Sequence, residues 1–386
     1  MLKIGRSRIE ESYDVVIVGA GPAGATAGFI LGNLGYKVLL IDKERFPRNK
    51  PCGGLLTNKT LELLDRVFSE NLESLVDKDV IDYVSNKWKI HYQFTKLGKG
   101  QLKTPFCYAK RKRYDDFFLN KTKDVGADVL EGEKVIDIVI ESNKVITESG
   151  RELKAEYILG ADGANSIIRR KLSEKELIDA GGWKQNLGVA MQQKIDRKNT
   201  ELGTEGINLH FGIIEKGYAW VFPYSDEVIA GVGGVIDKNR NMKESFKSFL
   251  EGLGLNFDSD KSKSHLVTLG NFLKKPTYKN ILLVGDAGGL MNPITGEGIF
   301  YAHRSGVIAA NTIHEKEKNE DLELVREYTK TLNHKIISEL SRAKRVRNIW
   351  AALPQRSEPI LLKAGLLLMR NFTFEMIHGK GFLKEE

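Results

Sequence analysis

The chain has 386 residues, enough for two or three packed units or one large α/β body with an insertion, and 41% hydrophobic with 28% charged residues excludes a disordered, collagenous or low-complexity architecture. A net charge of +8 (59 Lys and Arg against 51 Asp and Glu) is modest for this length, and the basic residues form no recognition module, so nucleic acid is not an expected partner. Two cysteines, Cys52 and Cys107, supply neither a four-thiolate metal site nor a disulfide framework; no metal is expected, and a reducing cytoplasm is the simplest compartment.

The first elements read as a βαβ unit: an apolar strand over 13–18, a small-residue helix over 24–35 and a second strand over 37–41, both strands without alternation, as in a parallel sheet covered on both faces. The uncharged run 15–36 is long enough to span a membrane, but six glycines and Pro22 break it into strand, turn and helix. Residues 1–12 lack the charge order of a signal peptide. An irregular loop follows over 43–58, then strands of open pairing over 80–110, a helix over 113–126, and strands over 128–130, 134–140 and 144–147. Another apolar strand, 156–160, precedes Ala161-Asp162-Gly163, and Gly-punctuated strands over 187–236 read as an inserted antiparallel sheet. A strand over 280–284 leads into a Gly-rich loop and a helix over 298–314, and the chain from 322 onward has a helical pattern interrupted at Pro354 and Pro359.

Gly19-Ala20-Gly21-Pro22-Ala23-Gly24 is a G-x-G-x-x-G fingerprint between a strand and a helix, with Asp42 closing the next strand. Gly19 permits the tight turn, Gly21 lets backbone approach a pyrophosphate, Gly24 lets helix and strand pack closely, and Asp42 can accept from a ribose diol. The fingerprint alone does not separate FAD from NAD. Gly231-Val232-Gly233-Gly234 lies in strand-rich sequence with no following helix, so no second dinucleotide site is read there.

Two distant segments carry a resemblance. Residues 158–166, with Gly160-Ala161-Asp162-Gly163, and residues 281–289, with Gly285-Asp286, resemble the DG and GD motifs of the para-hydroxybenzoate hydroxylase superfamily of FAD enzymes. That resemblance implies FAD as cofactor, Asp286 on its ribityl chain, Arg111 of Arg111-Lys112-Arg113-Tyr114-Asp115 along the dinucleotide, and the amides of Gly298 and Ile299 facing the flavin pyrimidine. Without a ligand, that basic run would be a solvated helix face.

Within the superfamily, Phe46-Pro47-Arg48-Asn49-Lys50-Pro51-Cys52-Gly53-Gly54 and Tyr218-Ala219-Trp220-Val221-Phe222-Pro223 resemble motifs of the geranylgeranyl reductases, which saturate isoprenoid double bonds. The fold this implies is α/β: a Rossmann-type FAD-binding domain with an inserted antiparallel β-sheet substrate domain and a helical C-terminus. The expected division is FAD-binding over 1–80, 111–180 and 276–315, substrate sheet over 81–110 and 181–275, and C-terminal helices over 316–386. The residues expected around the cofactor are Gly19, Gly21, Ala23, Gly24, Asp42 and Lys43; Cys52, Gly53, Gly54, Arg111 and Val135; and Asp286, Gly298 and Ile299.

Period-two spacing puts Tyr218, Trp220 and Phe222 on one strand face, either as an ordinary core stripe or as the wall of a polyprenyl groove, where burial contributes ~0.8 kcal/mol per CH₂. The resemblance places Cys52 near the flavin ring, as a proton donor to the alkene or as a small space-filler; Cys107 has no such context. The implied activity is hydride transfer from reduced flavin to an isoprenoid double bond on a lipid or quinone, with NAD(P)H or a ferredoxin-like carrier as electron donor. The rival is a flavin monooxygenase or halogenase on the same scaffold. Basic residues over 341–347, beside Ile349, Trp350, Leu353 and an apolar cluster over 360–369, fit a peripheral membrane contact, a solvated helix or a buried terminal helix.

Overall fold

Parallel pairing of three short strands fixes the first sheet: Glu11–Val18 lies between Val38–Asp42 and Glu152–Gly160. In the computed structural model, which describes residues 11–200, 202, 205–239, 241–352 and 359–363, the sheet runs Thr277–Tyr278, Ile281–Leu283, Glu152–Gly160, Glu11–Val18, Val38–Asp42, Asp128–Glu131. A hairpin of Val135–Val139 and Lys144–Thr147 joins it through Glu152–Gly160. Both faces are covered. Val15, Ile17 and Leu40 meet Leu31 of helix Pro22–Asn33 and Ile308 and Ile313 of helix Ile299–Lys318. On the other side, Val16, Val18 and Leu39 meet Ile168 and Leu172 of helix Ile167–Glu174 together with the hairpin. This double burial is why the strand sequences lack alternation.

The second sheet runs Ser262–Thr268, Leu187–Asp196, Glu227–Val235, Gly217–Pro223, Gly206–Phe211, Tyr83–Tyr92, Thr95–Tyr108, Leu55–Leu56. Its pairings are antiparallel except one: Gly206–Phe211 lies parallel to Tyr83–Tyr92. The long stretch of chain between these two strands permits that crossover. Helix Met242–Gly252 covers one face through Phe246, Phe249 and Leu250, which pack on Val221, Ala230 and Val232. The other face turns toward the first sheet and bounds a cavity.

The α/β architecture matches the expectation, and the differences are local. The fingerprint helix starts at Pro22 rather than 24, because a proline is suited to the first helical turn. The helix expected over 113–126 starts at Arg111 and ends at Asp124. Helix Asn58–Phe68 was not anticipated, although Leu61, Leu64 and Phe68 share one face. Helices Ile167–Glu174 and Met242–Gly252 are likewise additions to the expected elements. C-terminal helices Leu324–Leu332 and Ser338–Ala352 follow the helical pattern from 322 onward. Leu353, Pro354, residues 364–369 of the apolar cluster and residues 1–10 lie outside the described residues.

Candidate active site

Register brings the three glycine-bearing motifs together. Val18 pairs with both Ile41 and Gly160, and Gly160 with Leu283, so Gly19, Asp42, Ala161 and Gly285 follow at one carboxyl edge of the parallel sheet. Open α/β sheets bind their ligands at this edge. Gly19 has φ +106°, and a Cβ there would lie 2.4 Å from the Ala161 carbonyl oxygen. A Cβ on Gly24 would lie 1.9 Å from the Gly19 oxygen, which explains the close turn. A Cβ on Gly21 meets only Arg48 Nη2, at 3.9 Å. That glycine therefore exposes backbone to the cavity at the start of helix Pro22–Asn33, which has no side-chain cap, the arrangement a pyrophosphate needs.

The DG segment also has a local reason. Ile167 N donates to Asp162 Oδ2 at 2.7 Å and Arg169 N to Ser166 Oγ at 2.9 Å, capping helix Ile167–Glu174. Asp42 holds the fingerprint turn, its Oδ2 accepting from Ala20 N at 2.8 Å and its Oδ1 from Glu44 N at 2.9 Å.

One cavity of about 910 Å³ runs from this edge to the second sheet. Its polar end holds a charged cluster. Arg111, 7% exposed, donates from Nε and Nη2 to the two oxygens of Asp115, each at 2.7 Å, and Arg48 Nη2 lies 2.9 Å from Asp115 Oδ2. Burial raises the Asp115 carboxyl, but Arg111, Arg48 and Lys50 outweigh it and hold the group below its ordinary value. Arg48 Nη1 is buried without a protein partner. An anionic group at the Gly21 amides would stand beside this cation, so the residues present fit a dinucleotide phosphate. Lys50 and Asp286 also line the cavity. Burial and then Arg111 push the Lys50 ammonium below its usual value, against the pull of Asp286. His265, on the facing sheet, is pushed down to about 3 by burial, Lys50 and Arg111 and is neutral at ordinary pH.

The loop carrying Cys52 presses against the aromatic wall. A Cβ on Gly53 would lie 2.6 Å from the Phe222 ring, and one on Gly54, with φ +64°, 2.2 Å from the Ala109 oxygen. Tyr224 OH donates to Gly53 O at 2.8 Å, Gln192 Nε2 to Cys52 O at 3.3 Å, and Gly54 N to Cys52 Sγ at 3.4 Å. Arg111 neighbours the Cys52 sulfur. Cys107 is buried and its thiol is pushed up to about 12.

Tyr218, Trp220 and Phe222 all face the cavity, with successive ring centroids 5.9 and 6.1 Å apart, while Ala219 and Val221 face helix Met242–Gly252. A Cβ on Gly231 would lie 2.4 Å from the Trp220 ring, so the glycines of that strand make room for the indole. On the opposite side, the loop before helix Ile299–Lys318 is anchored through Glu297, which accepts from Thr57 Oγ1 at 2.6 Å and lies 2.8 Å from the buried Lys59 ammonium. Gly298 caps that helix without a side-chain hydrogen bond.

Of the residues singled out from sequence, Gly21, Ala23, Cys52, Gly53, Gly54 and Arg111 line the cavity, as do Asp286, Gly298 and Ile299. Gly19, Gly24 and Asp42 lie behind the wall at the turn they shape. Lys43 is exposed beside Glu44, and Val135 is packed in the apolar layer under the sheet. Arg48, Lys50, Gln192 and His265 were not singled out. The first two lie inside the quoted loop, whereas the last two reach the wall only through strand pairing.

A glycine-built phosphate turn, a flanking cation cluster and a connected apolar chamber fit a dinucleotide-binding enzyme with an apolar substrate, and the known proteins it resembles make it an FAD-dependent oxidoreductase. The chain belongs to the FAD binding domain family, which matches residues 12–229. An uncharacterized protein of Methanosarcina barkeri is 34% identical over 80% of this chain and 76% of its own length. The menaquinone reductase of Mycobacterium tuberculosis is 27% identical over 80% of this chain and 78% of its own. The digeranylgeranylglycerophospholipid reductase of Thermoplasma acidophilum is 29% identical over 89% of this chain and 87% of its own. A solved structure from Thermoplasma acidophilum, described as geranylgeranyl bacteriochlorophyll reductase-like, superposes with a TM-score of 0.79 at 23% identity, covering 91% of each chain. The resemblance read from the sequence is thus borne out at the level of family, fold and cofactor.

Proposed function

We propose that this oxidoreductase saturates carbon–carbon double bonds of an isoprenoid chain carried on a lipid or quinone. The observation supporting this reading most is the single cavity that joins the cofactor edge at Gly21 and Asp286 to the aromatic wall of Tyr218, Trp220 and Phe222. Bound FAD in its reduced form supplies hydride. The protein's work is to position and to keep dry. The Gly21 amide and Arg48 hold phosphate, the aromatic face holds the apolar chain, and the close fit of Gly53 on Phe222 keeps the Cys52 loop against that face.

Addition of that hydride to one alkene carbon would have to be matched by a proton on the other, so that the double bond becomes a single bond, and the proton is the part this chain's own residues must deliver. Cys52 Sγ is assigned as the proton's source, with solvent restoring the thiol afterwards. Arg111 beside the sulfur offsets the charge left when the proton departs. Anaerobically, adding a geranylgeranyl lipid or prenylquinone to dithionite-reduced protein should restore the oxidised flavin spectrum. Reoxidation by oxygen alone, with an oxygen atom entering an aromatic substrate, would replace this reading with a monooxygenase. Cys52→Ala should slow reoxidation by substrate and leave flavin reduction unchanged; equal rates for wild type and variant in both half-reactions would make Cys52 a packing residue.

A further inference from the structure

The far end of the cavity opens through an apolar, cationic surface. Val346 and Trp350 of helix Ser338–Ala352, Leu362, and Ile294 of the loop before helix Ile299–Lys318 all line it there. Val346 is 55% exposed and Ile294 43%, and beside them Ile349 is 66% and Ile360 70% exposed. Val346, Ile349 and Trp350 are spaced three and four apart, so they share one helix face. Aliphatic side chains this exposed, grouped around an opening, mark a contact surface.

Along the part of the helix that carries Val346, Ile349 and Trp350 the charge has one sign. Between Leu340 and Ala352 the chain carries Arg342, Lys344, Arg345 and Arg347 and no acidic residue. These cations crowd one another: burial, then Arg347 and Lys274, drives the Lys344 ammonium below its ordinary value. Arg347 is fixed inward, donating from Nη2 to Asn186 Oδ1 at 3.1 Å and from Nη1 to Leu269 O, whereas Arg345 is exposed.

We infer that this rim is a membrane-docking face: it rests on an anionic bilayer, with Ile349 and Ile360 in the acyl boundary and Arg345 among the headgroups, and it passes the substrate chain from bilayer to cavity. The last clause rests on the proposed reductase reading; the docking does not. A second copy of this chain would bring two cationic faces together, and an acidic protein would leave the aliphatic ring at the mouth without a role. Among the described residues no helix is long and apolar enough to cross a membrane, so the contact is a surface one.

The test is co-sedimentation of the FAD-loaded chain with vesicles of phosphatidylcholine alone and with one-third phosphatidylglycerol. The expected result is binding to the anionic vesicles that weakens as salt rises. Arg345→Glu should lower that binding by about fivefold or more, and the pair Ile349→Glu with Ile360→Glu by more than about tenfold. Neither Ile349 nor Ile360 lines the cavity, so flavin content and reoxidation by detergent-dispersed substrate should stay at wild-type values. Wild-type protein that ignores anionic vesicles, or variants that bind them as wild type does, would overturn the inference. So would an acidic carrier protein that occupies this face while vesicles do not. Because vesicle binding is read without turnover, a failed reductase assay leaves the docking result standing, and the reverse also holds.

Discussion

The two ends of the cavity are built by different means. At the cofactor end, backbone does the shaping: Gly19 and Gly24 permit contacts no side chain would allow, Gly21 leaves backbone open to the cavity, and the charges of Arg48, Arg111 and Asp115 are locked in direct contact. At the substrate end, side chains do it: Trp220 and Phe222 form the wall, with exposed aliphatic groups such as Val346 at the rim. Rigid geometry suits a ligand of fixed shape that stays bound, and a lined apolar space suits chains that enter and leave. The contrast implies that damage at one end removes cofactor or fold, whereas damage at the other changes chiefly substrate handling.

Among changes that leave a folded protein to measure, the largest stability effect should come from Asp115→Ala. It leaves Arg111 and Arg48 buried without their carboxylate, and denaturant unfolding should show a loss of about 3–5 kcal/mol. Gly21→Val should divide stability from binding. The position has open space, so the melting temperature of the flavin-free protein should hold, while the flavin-to-protein ratio falls by more than about tenfold. Gly24→Val, with backbone 1.9 Å from its Cβ, should instead fail to fold, and a folded, flavin-free Gly24→Val would contradict the distinction. Trp220→Phe should keep flavin content and raise KM for long-chain substrates, with a stability loss of about 1 kcal/mol.

Per unit of perturbation, the gentlest effect is a pH slope. His303 lies buried between Thr26 Oγ1 at 2.6 Å and Tyr114 OH at 2.7 Å, and burial pushes its pKa down to about 3 from 6.5. Between those values the unfolded chain binds the proton that the folded chain refuses. Its contribution is present above pH 6.5 and is lost as pH falls toward 3, at roughly 1 kcal/mol per pH unit. His303→Gln should flatten the stability profile across that window. Glu70 adds to acid sensitivity lower down: its carboxyl is held at about 2, burial being outweighed by Lys121, Lys78 and Ser74, so its stabilisation fades below the unfolded value of 4.5.

The same contrast explains what was legible in the sequence. The fingerprint and the strand ends could be read because a backbone constraint demands glycine at fixed spacing: Gly24 answers to the Gly19 carbonyl five residues before it, and Gly19 takes a positive φ at the turn. The face shared by Tyr218, Trp220 and Phe222 could be read because strand periodicity is local. His265 and Gln192 could not, since they reach the wall through pairing with strands far along the chain. Nor did sequence spacing show that Arg111 would turn inward while Lys112 and Arg113 stay in solvent; the buried Asp115 decides that. The parallel pairing of Tyr83–Tyr92 with Gly206–Phe211 likewise has no local signature.

The most direct measurement is the product of one anaerobic turnover. Dithionite-reduced, FAD-loaded protein is mixed with geranylgeranyl lipid or prenylquinone, and the extracted product is weighed by mass spectrometry. The account predicts a product heavier by two hydrogens for each bond saturated, with no added oxygen, formed as the oxidised flavin spectrum returns. Recovery of every isoprenoid unchanged, from protein whose flavin is fully reduced, would contradict it.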